Sequence, residues 1–108
     1  MNALIWLLAG AGAASLLWRW RSARNLAALR TRGALILDVR TPDEFRRGHA
    51  EGALNLPLDR LTLGAERLDR AQPLLVCCAS GARSALAAQR LRALGFDATN
   101  AGPWTRLR

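Results

Sequence analysis

Apolar positions fall into one long uncharged run and then a series of short runs separated by charge. Ala3 to Trp18, ALIWLLAGAGAASLLW, is followed at once by RWRSAR. This predicts a hydrophobic helix over residues 1–21 and a separate domain over 22–108. NLAALRTR, Asn25 to Arg32, reads as a short helix with Leu26 and Leu29 inward and Gly33 as its stop. ALILDV, Ala34 to Val39, is a continuous apolar run, the pattern of a strand covered on both faces. TPDEFRRG then places Thr41 as a cap, Pro42 at the first helical position, and Asp43 and Glu44 in the first turn. ALNLPL, Ala53 to Leu58, predicts a second strand stopped by Pro57, and LTLGAERLDR a weak helix. LLVCC, Leu74 to Cys78, is a third strand. The segment from Arg83 to Gly95 is a helix whose buried stripe is expected at Leu86, Arg90, Leu91 and Leu94. FDATNAG, Phe96 to Gly102, supplies a fourth strand and a turn.

Strands alternating with helices predict the α/β class, an open parallel sheet of four or five strands flanked by helices and preceded by the hydrophobic helix. Ligands of such sheets sit outside the carboxyl ends of the strands. Asp38 with Arg40, Cys78, and Asn100 with Gly102 all fall at those ends.

Charge and cysteine usage narrow the partners. Sixteen basic residues, all arginine, face eight acids, for a net charge of +8. Coding bias accounts for that excess as well as attraction to anionic lipids or substrates does. Nucleic acid is not expected, because the arginines are scattered and no aromatic-and-glycine recognition motif accompanies them. Two neighbouring cysteines cannot bridge without straining the peptide between them, and with one histidine they make no tetrahedral metal set. No metal and no cofactor are expected.

The uncharged run would make about 24 Å of helix against a hydrocarbon core of about 30 Å. Trp18 and Trp20 suit the headgroup level and Arg19, Arg21 and Arg24 follow the run, so the positive-inside rule predicts a single-pass helix in the inner membrane with the domain in the cytoplasm. The alternatives are a signal cleaved near Ala11 to Ala13, which would leave the domain periplasmic, and a buried helix.

The chemistry sits in CASGARS. Cys78 ends a strand where the sheet is expected to open to solvent, and Arg83 and Ser84 begin a helix. Between them Ala79, Ser80, Gly81 and Ala82 are small enough for successive amides to turn inward, at a point where a helix terminus adds positive potential. An anion fits there, and a thiol there should ionise more easily than a free one. Arg83 could hold an oxyanion while Cys78 attacks it, and the hydroxyl and amide of Ser84 either cap the helix or face the anion. Alternation turns Cys77 to the opposite face, as apolar filler or a resolving thiol. His49 is expected to bond its own turn, Asp38 and Arg40 to form a structural ion pair, and Glu44 to be solvated or paired.

LILDVRTPDEFRRGHAEGALNLPL, Leu35 to Leu58, together with LLVCCASGARSALAAQRLRALGF, Leu74 to Phe96, resembles the single-domain rhodanese family of sulfurtransferases. The likeness runs from about Ala34 to Trp104, and TNAGPW is similar to a third family segment in its small phage-shock-protein E-like members. The resemblance implies a rhodanese-like sheet in which Cys78 carries a persulfide, the loop from Ala79 to Arg83 holds the outer sulfur, and Arg83 is the substrate-side cation. It implies a donor such as thiosulfate or a persulfide and an acceptor such as cyanide, a dithiol or a protein thiol. Three features depart from the family. Ala79 stands where thiosulfate-preferring members carry a second basic residue, the hydrophobic run replaces an opening strand, and little of the usual last helix follows Trp104. The loop has six residues from Cys78 through Arg83, and the longer loops of related phosphatase and arsenate-handling folds make that chemistry the weaker expectation. The alternative within the family is a non-catalytic sulfur carrier or docking module at the membrane.

Overall fold

The computed structural model describes residues 25–108. The helix expected over residues 1–21 lies outside them, and among the described residues no helix is long and apolar enough to cross a membrane. Residues 25–31 form helix α1. Then follow β1 (Leu35–Asp38), α2 (Pro42–Arg46), β2 (Leu54–Asn55), a 3-10 turn (Leu58–Arg60) leading into α3 (Leu61–Ala65), β3 (Leu74–Cys78), α4 (Ala82–Ala93), β4 (Ala98–Pro103) and a closing 3-10 turn (Trp104–Leu107). The four strands are parallel in the order β2-β1-β3-β4.

Side-chain alternation along these strands builds two apolar layers. Leu37, Val39, Leu74, Val76 and Cys78 face α3 and α4, where Leu61, Ala65, Ala87, Ala88 and Leu91 meet them. Ile36, Leu75, Cys77 and Ala101 face the other way, against Leu26 and Leu29 of α1 and Trp104 and Leu107 of the closing turn. Strand β3 is central and all five of its residues are buried, which is why LLVCC contains no polar position.

Three elements differ from the sequence pattern. The second strand, expected over Ala53–Leu58, pairs only at Leu54 and Asn55. Beyond them the amides of Leu56 and Leu58 still bond to Asp38 and Val39, but Pro57 turns the chain into the 3-10 turn. In α4 the buried stripe is Ser84, Ala87, Ala88 and Leu91. Leu86 and Leu94 are 40% and 38% exposed, because small side chains bring the helix close to the sheet and the leucines flank that contact. The fourth strand begins at Ala98, since Phe96 still belongs to the end of α4. Its amide bonds back to Leu91 while Gly95 takes φ +95, a glycine-terminated helix end that delays pairing. The register of β4 on β3 also shifts, with Val76 opposite Asn100 but Cys77 opposite Gly102. That extra residue re-aims the end of β4 beside the loop after Cys78.

Candidate active site

Cys78 is the last residue of β3, and the following loop folds back over it. Its side chain is fully buried, whereas the sequence pattern placed it at an opening to solvent. The loop can close this tightly because Gly81 adopts φ +104, and a Cβ there would lie 3.3 Å from the Gly102 Cα. Any other residue would therefore meet both backbone strain and the end of β4.

The Gly81 amide donates to the Cys78 Sγ at 3.0 Å and the Ser84 amide at 3.4 Å, while the Ser84 Oγ lies 3.3 Å from the sulfur. Burial pushes the thiol pKa up. The Ser84 hydroxyl and the Ser84, Gly81 and Ser80 amides oppose it and prevail, leaving Cys78 more acidic than an ordinary cysteine. The sequence expectation of a cradle over Ala79–Arg83 narrows accordingly. The Gly81 and Ser84 amides bond the sulfur with Ser80 contributing least, the Ala82 amide turns to the Ser80 Oγ at 3.5 Å, and Ala79 and Ser80 form the exposed crest of the loop.

Asn100 is a further member, placed by sequence at a strand end but given no role. Its Oδ1 accepts from the Ser84 Oγ at 2.7 Å and from the Gly102 amide at 2.9 Å, and its Nδ2 donates to the Gly81 carbonyl at 3.2 Å. One side chain of β4 thus holds both residues that bond the sulfur. A polar residue at the carboxyl end of the neighbouring strand was the available signal.

Arg83 lies on Glu44. Its Nη1 donates to Oε1 at 2.7 Å and its Nη2 to Oε2 at 2.9 Å. The same carboxylate completes the cap of α2, accepting from the Thr41 amide at 3.2 Å while the Thr41 Oγ1 accepts from the Glu44 amide at 3.2 Å. The Arg83 guanidinium is the main cause that holds the Glu44 carboxyl down at about 2, and Glu44 in turn raises Arg83. The cation expected at the substrate therefore stands as half of a fork-to-fork ion pair between the loop and α2.

Asp38 and Arg40 are buried and paired at 2.8 Å. Arg40 also donates to the Gly48 carbonyl at 2.6 Å and lies 4.8 Å from the centre of the Trp104 ring. The Asn55 Nδ2 donates to the Asp38 and Arg40 carbonyls at 3.0 and 2.9 Å. This network ties β1, β2 and the closing turn together behind the loop. Cys77 points into the layer beneath it, where burial and then the Asp38 charge push its thiol up to about 12. It is the less acidic member of the pair. His49 stacks on Phe45 with ring centres 3.7 Å apart and donates from Nδ1 to the Phe45 carbonyl at 2.8 Å, a turn-forming role.

Residues 22–101 match a family model described as a rhodanese-like domain. Among similar proteins, thiosulfate sulfurtransferase 18 of Arabidopsis thaliana is 44% identical over 78 residues, covering 59% of this chain and 57% of its own length. The thiosulfate sulfurtransferase GlpE of Shewanella oneidensis is 40% identical over 62 residues, covering 57% of this chain and 61% of its own. In both cases the match spans less than two thirds of the curated relative. Among solved structures, the human single-domain sulfurtransferase TSTD1 superposes with a TM-score of 0.63 at 31% identity, over 77% of this chain and 88% of that one.

Proposed function

Because the chain belongs to the rhodanese-like domain family, we propose that it is a sulfurtransferase working through a persulfide on Cys78. The observation that carries the reading is the pair of amides, from Gly81 and Ser84, directed at a buried and acidified thiol. In the first step the Cys78 thiolate attacks the outer sulfur of thiosulfate or of a persulfide donor. The donor's S–S bond breaks, sulfite or a thiolate leaves with the electron pair, and Cys78 holds the sulfur. The amides and the helix terminus stabilise the negative charge that the outer sulfur then carries. In the second step a thiolate or cyanide attacks that outer sulfur and Cys78 leaves as thiolate. No proton donor or cofactor is consumed in either step.

Intact mass before and after thiosulfate tests this. A gain of one sulfur that cyanide strips away, lost in Cys78→Ser and kept in Cys77→Ser, is the expected result. No gain, or equal loss in both variants, would overturn it.

The Glu44–Arg83 pair supports a second reading. With the loop's arginine already neutralised and Ala79 beside Cys78, a dianionic donor finds little free charge, which favours a sulfur carrier loaded by a protein persulfide. Comparing loading rates from thiosulfate and from a neutral persulfide separates the two, since a carrier loads appreciably only from the second. The uncharged run from Ala3 to Trp18 and the arginines after it support an inner-membrane anchor with the domain in the cytoplasm. A reporter fused after Arg108 should behave as cytoplasmic, and a shortened soluble periplasmic form would refute this.

A further inference from the structure

Next to the loop lies a cleft of about 500 Å³ that the chemistry at Cys78 does not use. Val39, Pro42 and Leu58 give it an apolar lining, and cations come from two elements, Arg60 from the 3-10 turn and Arg83 and Arg90 from α4. Arg83 is held by Glu44. Among the described residues, Arg60 and Arg90 have no carboxylate partner, and both are exposed. Asp59, also in the lining, offsets one of them, so the cleft keeps an excess positive charge.

The cleft is tied to the sulfur site by covalent and hydrogen-bonded continuity. Arg83 ends the loop that starts at Cys78, and Thr41, which lines the cleft, bonds the carboxylate that holds Arg83. A volume of this order suits a small molecule, and apolar walls with a few placed charges suit one with a methylene body and anionic ends. We propose that this cleft binds the acceptor of the sulfur, a small thiol bearing one or more carboxylates, with Arg60 and Arg90 as its specificity-determining residues. The proposal rests on the sulfurtransferase reading for the identity of the reacting group. Thiolate of the bound acceptor attacks the outer sulfur of the Cys78 persulfide, the S–S bond on Cys78 breaks, and the acceptor leaves as its own persulfide while Cys78 regains its thiolate.

The test is a charge series. Protein loaded with one sulfur is discharged by 2-mercaptoethanol, 3-mercaptopropionate and mercaptosuccinate, compared at equal thiolate concentration. The rate constant should rise with each carboxylate, and that preference should fall about fivefold in Arg60→Ala and in Arg90→Ala, the scale of an exposed ion pair. Arg90→Lys should keep most of it, and salt should flatten the series. An equal preference in wild type and variants, or none in wild type, overturns the proposal. Methylthiosuccinate, whose sulfur cannot react, reads the cleft separately by equilibrium binding to unloaded protein. If Cys78 accepted no sulfur, the sulfurtransferase reading would fall, yet weaker methylthiosuccinate binding by the two alanine variants would still support the cleft. Equal binding by all three proteins would overturn it.

Discussion

Removing Asn100 should make Cys78 more acidic, although Asn100 never touches the sulfur. The Ser84 hydroxyl has one proton and three acceptors within reach, the Asn100 Oδ1 at 2.7 Å, the Gly81 carbonyl at 3.1 Å and the Cys78 Sγ at 3.3 Å. Asn100 is the shortest and holds the proton while Cys78 is a thiol. Once Cys78 ionises, the hydroxyl is drawn to the sulfur and must give up that bond. Asn100→Ala removes the nearest competitor and leaves the longer bond to the Gly81 carbonyl. A hydrogen bond to a charged group contributes about 1.5–3 kcal/mol against about 0.5–1.5 for a neutral one, so the thiolate gains about 1 kcal/mol. At 1.36 kcal/mol per pKa unit the midpoint should fall by roughly 0.7. The assay is the rate of alkylation by neutral iodoacetamide across pH. Cys77 does not confuse it, because its thiol is pushed up to about 12 whereas that of Cys78 is lowered. Ser84→Ala should raise the midpoint by about one unit, since the hydroxyl bond is lost and the amides remain. The double variant should titrate close to Ser84→Ala, because that hydroxyl is the shortest link from Asn100 to the sulfur, the hold of Asn100 on the Gly81 carbonyl being longer. A higher midpoint in Asn100→Ala, or additive shifts in the double variant, would refute the reasoning.

Glu44→Gln should cost about 1 kcal/mol at neutral pH, since the pair with Arg83 is bidentate but about one third exposed and screened by solvent. The folded carboxyl is depressed to about 2 from 4.5, so this stability is fully present above pH 4.5 and lost as pH falls toward 2; urea unfolding at pH 7 and pH 3 should show the difference from wild type shrinking. Gly81→Ala places a side chain at φ +104 and 3.3 Å from the Gly102 Cα, so it should destabilise by about 1–3 kcal/mol and slow alkylation of Cys78, and an unchanged melting temperature would count against the loop geometry. Arg40→Ala strands the buried Asp38 and should cost about 3–5 kcal/mol, with Arg40→Leu no better, because neither supplies a partner for the carboxylate.

What the chain revealed before folding was whatever is written over short separations. The alternation of apolar runs fixes strand, helix and connection, and adjacency of Cys78 to a small-residue loop and an arginine marks the candidate thiol. The sulfur-facing amides of Gly81 and Ser84 lie within six residues of it. Glu44 and Arg83 are 39 residues apart, and Asn100 is 16 from Ser84, so their pairing depends on how β1, β3 and β4 lie side by side. No local pattern records that. The helix stripe failed for a related reason. Hydrophobicity favours Leu86 and Leu94, but contact with a sheet at close range selects size, and Ala87 and Ala88 win the interior.

The two neighbouring thiols carry a consequence for anyone who makes this protein. Successive positions of β3 face opposite layers, so slipping the strand by one residue would exchange Cys77 and Cys78. A molecule folded out of step would offer an unacidified sulfur to the loop. Counting fast-alkylating thiols per chain therefore gauges the fraction of molecules threaded correctly, a quality measure that needs neither substrate nor partner.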